Sequence, residues 1–230
     1  DLHTGRTNAI WAFILGLASL NILCFIYSGF VITFRRTRTK IKNKIKAKDA
    51  EIVLLVGSEN GTTLFFANQI HRQLLNEGKR SYLTEMNQFQ SFESAKEMVI
   101  FTSTYGLGDP PSNANQFENL LQKFPQQNKI GYSVVGFGSK SYQEFCAFAV
   151  KVNDLLAKQN WAEPTTSIFT INDRSADEFA TWAHVWSEKT LHPLATAPAV
   201  YNTKIPGLKK FIVTEKTMVS DENFTFKIVL

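Results

Sequence analysis

From residue 51 onward, apolar β-rich runs alternate with helical patterns, and this alternation restricts the fold more than any other property of the chain. The runs 51–56, 98–104 and 130–136 are almost continuously apolar, 81–84 is a weaker strand, and 167–171 is a last one. Between and after them come helical spacings over 64–75 (Leu64, Ala67, Ile70, Leu74), 114–124, 142–159 (Phe145, Phe148, Val152, Leu155, Leu156) and 177–191 (Phe179, Trp182, Val185, Trp186). Strands that are apolar throughout, rather than on alternate residues, are covered on both faces, as the strands of a parallel sheet are. Right-handed crossovers make such a sheet doubly wound, with ligands held beyond the carboxyl ends of its strands. The expected fold class is therefore α/β, with a doubly wound five-stranded parallel sheet.

A different kind of segment precedes this body. Residues 10–34 run for 25 positions without a charge. At about 1.5 Å per residue, that covers the roughly 30 Å hydrocarbon core of a bilayer with some tilt. Trp11 and Tyr27 lie near the two ends, as interfacial aromatics do. Basic residues follow the run instead of preceding it, which favours a retained transmembrane helix over a cleaved signal peptide. Eight of them, Arg35, Arg36, Arg38, Lys40, Lys42, Lys44, Lys46 and Lys48, form a strip that places the rest of the chain on the cytoplasmic side. The expected location is the inner or cell membrane, with the globular part cytoplasmic.

The strip also accounts for the net charge of +5 and the pI near 9.1. Residues 51–230 carry 16 basic side chains against 18 acidic ones. A nucleic-acid binder would instead spread its basic residues over the folded domain, so no nucleic-acid partner is expected. Cys24 and Cys146 make no CxxC and no metal-ligand spacing, so no metal is expected either.

The three strongest strands each run into a polar loop containing glycine. The first, Ser58, Glu59, Asn60, Gly61, Thr62 and Thr63, leads directly into a helix, where backbone N–H groups and the helix dipole favour an anion. It has no GxxxxGK[ST] and no lysine to reach a terminal phosphate, so it suits a monophosphate that is held and never cleaved. The second runs Ser103, Thr104, Tyr105, Gly106, Leu107, Gly108, Asp109, Pro110, Pro111. The third runs Gly136, Phe137, Gly138, Ser139, Lys140, Ser141, Tyr142, then Phe145 and Cys146. Glycines allow close backbone approach, and two tyrosines on neighbouring loops can sandwich one planar ring.

These three loops, in this order and spacing, resemble the FMN-binding, flavodoxin-like domain of the diflavin reductases: sulfite reductase flavoprotein, microsomal cytochrome reductase and nitric oxide synthase reductase. The resemblance covers about 51–192 and implies the sheet order 2-1-3-4-5. It implies that Ser58, Asn60, Gly61, Thr62 and Thr63 hold the FMN phosphate, with Glu59 in the loop but turned outward. Tyr105 and Tyr142 would stack on the two faces of the isoalloxazine. Ser103, Thr104, Gly106, Gly108, Gly136, Gly138, Ser139, Phe145, Cys146 and Asp173 would complete the cofactor site, Cys146 by packing rather than by redox chemistry. No residue is assigned a catalytic role. The fourth segment departs from the family: Ile171-Asn172-Asp173-Arg174 replaces its usual Gly-Asp run.

The start of the chain carries a looser resemblance. His3-Thr4-Gly5-Arg6, an apolar helix containing Ser28-Gly29-Phe30, then Arg35-Arg36, is similar to the last membrane helix of the PepSY-associated transmembrane family, and that resemblance makes His3 a candidate haem ligand. The expected organisation is 1–34 transmembrane helix with a short outer segment, 35–50 basic linker, 51–193 flavodoxin-like domain, and 194–230 linker with the first strands of a truncated FAD-binding barrel. The implied function is an oxidoreductase module that relays electrons from NADPH and FAD, bound by a further domain of the same chain, to a haem or metal acceptor. Two alternatives stand beside it: a carrier module that docks a soluble acceptor protein, and a non-redox membrane adaptor with an empty site.

Overall fold

The computed structural model describes residues 9–38, 43–59, 61–202, 215–220 and 225–229. It divides into two compact units, 1–44 and 45–230. In the first, α1 (Ala9–Arg38) is one continuous helix. Its 9–31 stretch has a mean hydropathy of 2.3, long and apolar enough to cross a membrane by length and composition. His3 lies outside the described residues.

The second unit contains the sheet. Its elements are β1 (Ile52–Gly57), α2 (Thr62–Asn76), β2 (Ser81–Glu85), β3 (Glu97–Ser103), α3 (Phe117–Lys123), β4 (Ile130–Gly138), α4 (Ala147–Ala157), β5 (Ala162–Pro164), β6 (Phe169–Asn172) and α5 (Ala176–Thr190). Strand order is β2-β1-β3-β4-β5, with β6 also on β4, and every pairing in this sheet is parallel. The order 2-1-3-4-5 is thus the one the resemblance implied. All six residues of β1 are buried, which is what continuous apolarity in a doubly covered strand requires. One layer packs Val53, Leu55, Met98, Ile100 and Val134 against Phe89, Phe117, Phe148 and Trp161. On α5, the edge-to-face and tilted pairs Phe179–Trp182, Phe101–Trp182 and Phe66–Phe179 interlock at centroid distances of 5.2, 5.2 and 4.5 Å.

Three elements differ from their sequence expectation. The last strand position is occupied by two short strands, β5 and β6, on either side of residues 165–168. Pro164 and an exposed Glu163 hide the first piece from a reading based on apolarity. The helix expected at 114–124 begins only at Phe117, because 112–116 form successive turns held by the Asn87 side chain, which donates to the Ser112 carbonyl and Asn115 Oδ1 and accepts from the Gln116 N–H. The helix expected at 142–159 begins at Ala147, since Cys146 takes a left-handed conformation (φ 56) and stops helical geometry there.

Beyond α5 the chain turns back onto the domain. The main-chain N–H of Leu194 donates to Ser187 Oγ (3.1 Å) and that of Ala195 to Gln73 Oε1 (2.6 Å). The fully buried Tyr201 stands edge-on to Phe179 and donates its hydroxyl to the Ala195 carbonyl. Part of the expected linker is therefore a packed strap on α2 and α5. The antiparallel pair β7 (Glu215–Ser220) and β8 (Thr225–Val229) follows; the run 211–214 lies outside the described residues.

At the amino ends of the strands, Glu51 Oε1 accepts from Lys96 Nζ (2.9 Å) and pairs with Arg80 (3.2 Å). Hydrogen bonding to Arg80, then to Lys96, holds the Glu51 carboxyl down at about 2, against an ordinary 4.5. A carboxyl depressed in the folded state contributes stability that is full above about pH 4.5 and lost as pH falls towards about 2. Glu51→Gln is expected to flatten that part of the acid-unfolding curve, measured by circular dichroism between pH 5 and pH 2, roughly those limits. A variant with the parent's slope would contradict the assignment.

Candidate functional site

Parallel register brings the strand ends to one level: Gly57 is opposite Thr102, Thr102 opposite Gly136, and Gly138 opposite Asn172. Four loops therefore rise together from the carboxyl edge of the sheet. They enclose a cleft of about 520 Å³, within the roughly 300–1,000 Å³ usual for small-molecule sites.

Each loop has a local physical cause. In the first, Gly61 (φ 73) forms the N-cap of α2, a left-handed position that glycine occupies without strain. Ser58, Thr62 and Thr63 line the cleft. In the second, Tyr105 and Asp109 close a tight turn: the Tyr105 N–H donates to the Asp109 carbonyl (3.0 Å), and the Asp109 N–H to the Tyr105 carbonyl (2.7 Å). Gly106 (φ 50) and Gly108 (φ 105) make that turn possible. Ser103, Thr104, Tyr105 and Gly106 reach the cleft, whereas Gly108 does not. In the third, Gly138, Ser139, Tyr142 and Phe145 line it, with Tyr142 69% exposed at the rim.

Gly136 and Cys146 stand behind the third loop. A Cβ on Gly136 would lie 2.5 Å from Ala149 Cβ and 3.2 Å from Cys146 Cβ, so the glycine allows α4 to lie against β4. Cys146 is fully buried, and burial pushes its thiol up to about 12. It is a packed, protonated thiol.

The first and second loops are tied to each other. The Ser58 N–H donates to Asn113 Oδ1 (2.8 Å), and Glu59 Oε2 accepts from the Ser112 N–H (2.7 Å). The third and fourth are tied likewise: the Asp173 N–H donates to the Gly138 carbonyl (2.9 Å) and the Lys140 N–H to Asn172 Oδ1 (2.8 Å).

Of the residues expected at the site, twelve line the cleft: Ser58, Thr62, Thr63, Ser103, Thr104, Tyr105, Gly106, Gly138, Ser139, Tyr142, Phe145 and Asp173. Glu59, Gly61, Gly108, Gly136 and Cys146 support its walls, and Asn60 lies outside the described residues. Phe137, Glu144 and Arg174 also line it and were not assigned from sequence. Their only sequence signal was adjacency to assigned residues.

A cleft at the carboxyl edge of a doubly wound sheet, with one helix N-terminus and two tyrosines, defines a nucleotide-type binding domain. The family model for flavodoxin matches residues 54–186. An inducible nitric oxide synthase of Carassius auratus is 32% identical over 125 residues, covering 53% of this chain and 75% of that protein. The sulfite reductase (NADPH) flavoprotein alpha-component of Buchnera aphidicola subsp. Schizaphis graminum is 30% identical over 112 residues, 46% of this chain and 19% of that one. The chain thus spans about a fifth of that longer relative. Oxidised flavodoxin 2 from Bacillus cereus superposes with a TM-score of 0.53 at 22% identity, over 61% of this chain and 99% of that chain.

The chain belongs to the flavodoxin family. Its folded body is a flavodoxin-like FMN-binding domain related to the diflavin reductases, which makes it an oxidoreductase module of electron transport.

Asn113 provides a test of how the walls are held. Asn113→Ala leaves the Ser58 N–H, on a residue only 8% exposed, without its acceptor, a loss of about 1–3 kcal/mol. Urea unfolding of the variant is expected to show a lower midpoint at unchanged slope. An unchanged midpoint would show that the bond is dispensable.

Proposed function

We propose that residues 51–193 hold one FMN in the carboxyl-edge cleft and serve as the middle link of a membrane-anchored diflavin-type reductase. The observation that carries this reading is the convergence of the three glycine-containing loops on one cleft. The residues present fit FMN: a neutral, hydroxyl-bearing loop at the start of α2 suits a monophosphate, and glycines line the cleft where a flat ring would approach backbone.

Ser58, Thr62 and Thr63 take the phosphate with the α2 N-terminus, and Asn60 and Gly61 belong to the same loop. Tyr105 and Tyr142 cover the two ring faces. Thr104 ties the second loop to the first turn of α4, its hydroxyl accepting from the Phe148 N–H (3.1 Å). FMN, when bound, would supply the chemistry that takes electrons in pairs and passes them on singly. This chain's residues orient the ring, limit water at its faces and leave the Tyr142 side open at the rim.

The source of electrons is proposed to be NADPH through FAD in a further domain of the same chain, supported by the relation to the sulfite reductase component. The acceptor is proposed to be a haem or a metal complex at the membrane, reached from the cytoplasmic face. The apolar, uncharged stretch 10–34 of α1 and the basic strip that follows that stretch support that setting.

Detergent-solubilised chain is expected to be yellow and to release FMN on denaturation. Thr62→Ala should weaken FMN while leaving riboflavin, which lacks the phosphate, nearly unaffected. Tyr142→Ala should weaken both by about two- to tenfold, corresponding to roughly 0.5–1.5 kcal/mol of aromatic stacking. Fluorescence titration reads all three. Parent protein that binds neither flavin would refute the proposal.

A further inference from the structure

The turn after β6 holds two consecutive non-glycine residues in the left-handed region, Asp173 at φ 43 and Arg174 at φ 66. Such backbone is costly for L-residues and persists only where its surroundings impose it. Here they do. The Asp173 N–H is bound to the Gly138 carbonyl, the Ser175 N–H to the Asn172 carbonyl, and the Asn172 N–H to Glu178 Oε2 (2.6 Å). Ser175 then caps α5 by accepting from the Glu178 N–H.

This turn sets Arg174 among the residues that line the cleft. Among the described residues Arg174 has no ion pair, whereas the neighbouring cation, Lys140, lies 3.9 Å from Glu178 and above the Phe145 ring. The cleft's other charged side chains are Glu144 and Asp173, both carboxylates, so Arg174 is its one cation among the described residues.

Sheet order decides which end of the ligand this cation serves. The loops follow β1, β3, β4 and β6 in that spatial sequence. At about 4.8 Å per strand, the β6 loop lies roughly 14 Å along the sheet from the β1 loop. That is beyond the roughly 8 Å screening length at physiological salt. An anion held at the start of α2 gains little from Arg174, while a ring extending past β3 and β4 ends near it.

We infer that Arg174 is a selectivity residue for the oxidation state of the bound flavin: its guanidinium stands at the far edge of the ring and favours the electron-rich, reduced form. The inference rests on the FMN reading of the cleft. It also gives a purpose to the strained turn, which holds a cation at the cleft.

The test uses the full chain in detergent, loaded with FMN. Oxidised FMN affinity is read by fluorescence titration and the midpoint potential by dye-equilibrated reduction. Arg174→Gln is expected to leave oxidised FMN bound within about twofold but to weaken reduced FMN about tenfold, a fall of about 30 mV for a two-electron couple. Arg174→Lys should restore most of that difference. Arg174→Gly should lose it while raising the melting temperature, because glycine accepts the turn without strain. An unchanged potential in flavin-loaded Arg174→Gln, or equal weakening of both oxidation states, overturns the inference. Failure of the parent chain to bind FMN at all overturns the FMN reading itself, and is distinguishable from both.

Discussion

Parallel main-chain hydrogen bonding among β1, β3 and β4 places the middle of the sheet between two layers of helices, and both the core and the cleft follow from that. With both faces covered, β1 can contain only apolar residues and a glycine, and it does. Because parallel strands all point one way, their carboxyl ends must coincide. The register that packs Val56 beside Phe101, and Phe101 beside Val135, is the same register that aligns three loops on one cleft. A slip of one residue would turn the core strands inside out and separate the two tyrosines.

The loops contribute little by way of apolar packing and are held by a few polar ties instead. Asn113 and Glu59 join the first loop to the exit of the second, and Gly138 and Asn172 join the third to the fourth. The cleft thus has two braced halves facing each other. Glu59, a carboxylate in the loop proposed to hold a phosphate, is engaged by the Ser112 N–H and does not line the cleft.

The strands and the paired glycine-tyrosine loops were legible in the sequence because the underlying physics is local: burial on two faces dictates composition, and close backbone approach dictates glycine. The sheet's last position was less legible. Its two pieces are three and four residues long, one ends in Pro164, and neither is apolar throughout. The late starts of α3 and α4 were hidden too, since Asn115 and Cys146 sit within helix-like spacing but are diverted, Asn115 by its bond to Asn87 and Cys146 by its left-handed backbone. Arg174 was visible as a departure from the family pattern, yet its place in the cleft depends on a left-handed turn that no periodicity announces. The strap ending at Tyr201 looked like linker because Ala, Pro and Thr dominate it; a single aromatic side chain and two main-chain bonds pin it.

The divided last strand has a consequence for how these molecules behave at high concentration. An open parallel sheet presents unpaired N–H and C=O groups along its outer strand, and a second molecule can use them as a template. Here that border is interrupted. Pro164 offers no N–H, and residues 165–168 break the line before β6 resumes. A neighbouring chain would find only three or four residues of straight edge in either direction, too short a run to propagate a ladder. What costs the strand its length also gives the domain a border that resists zippering into aggregates.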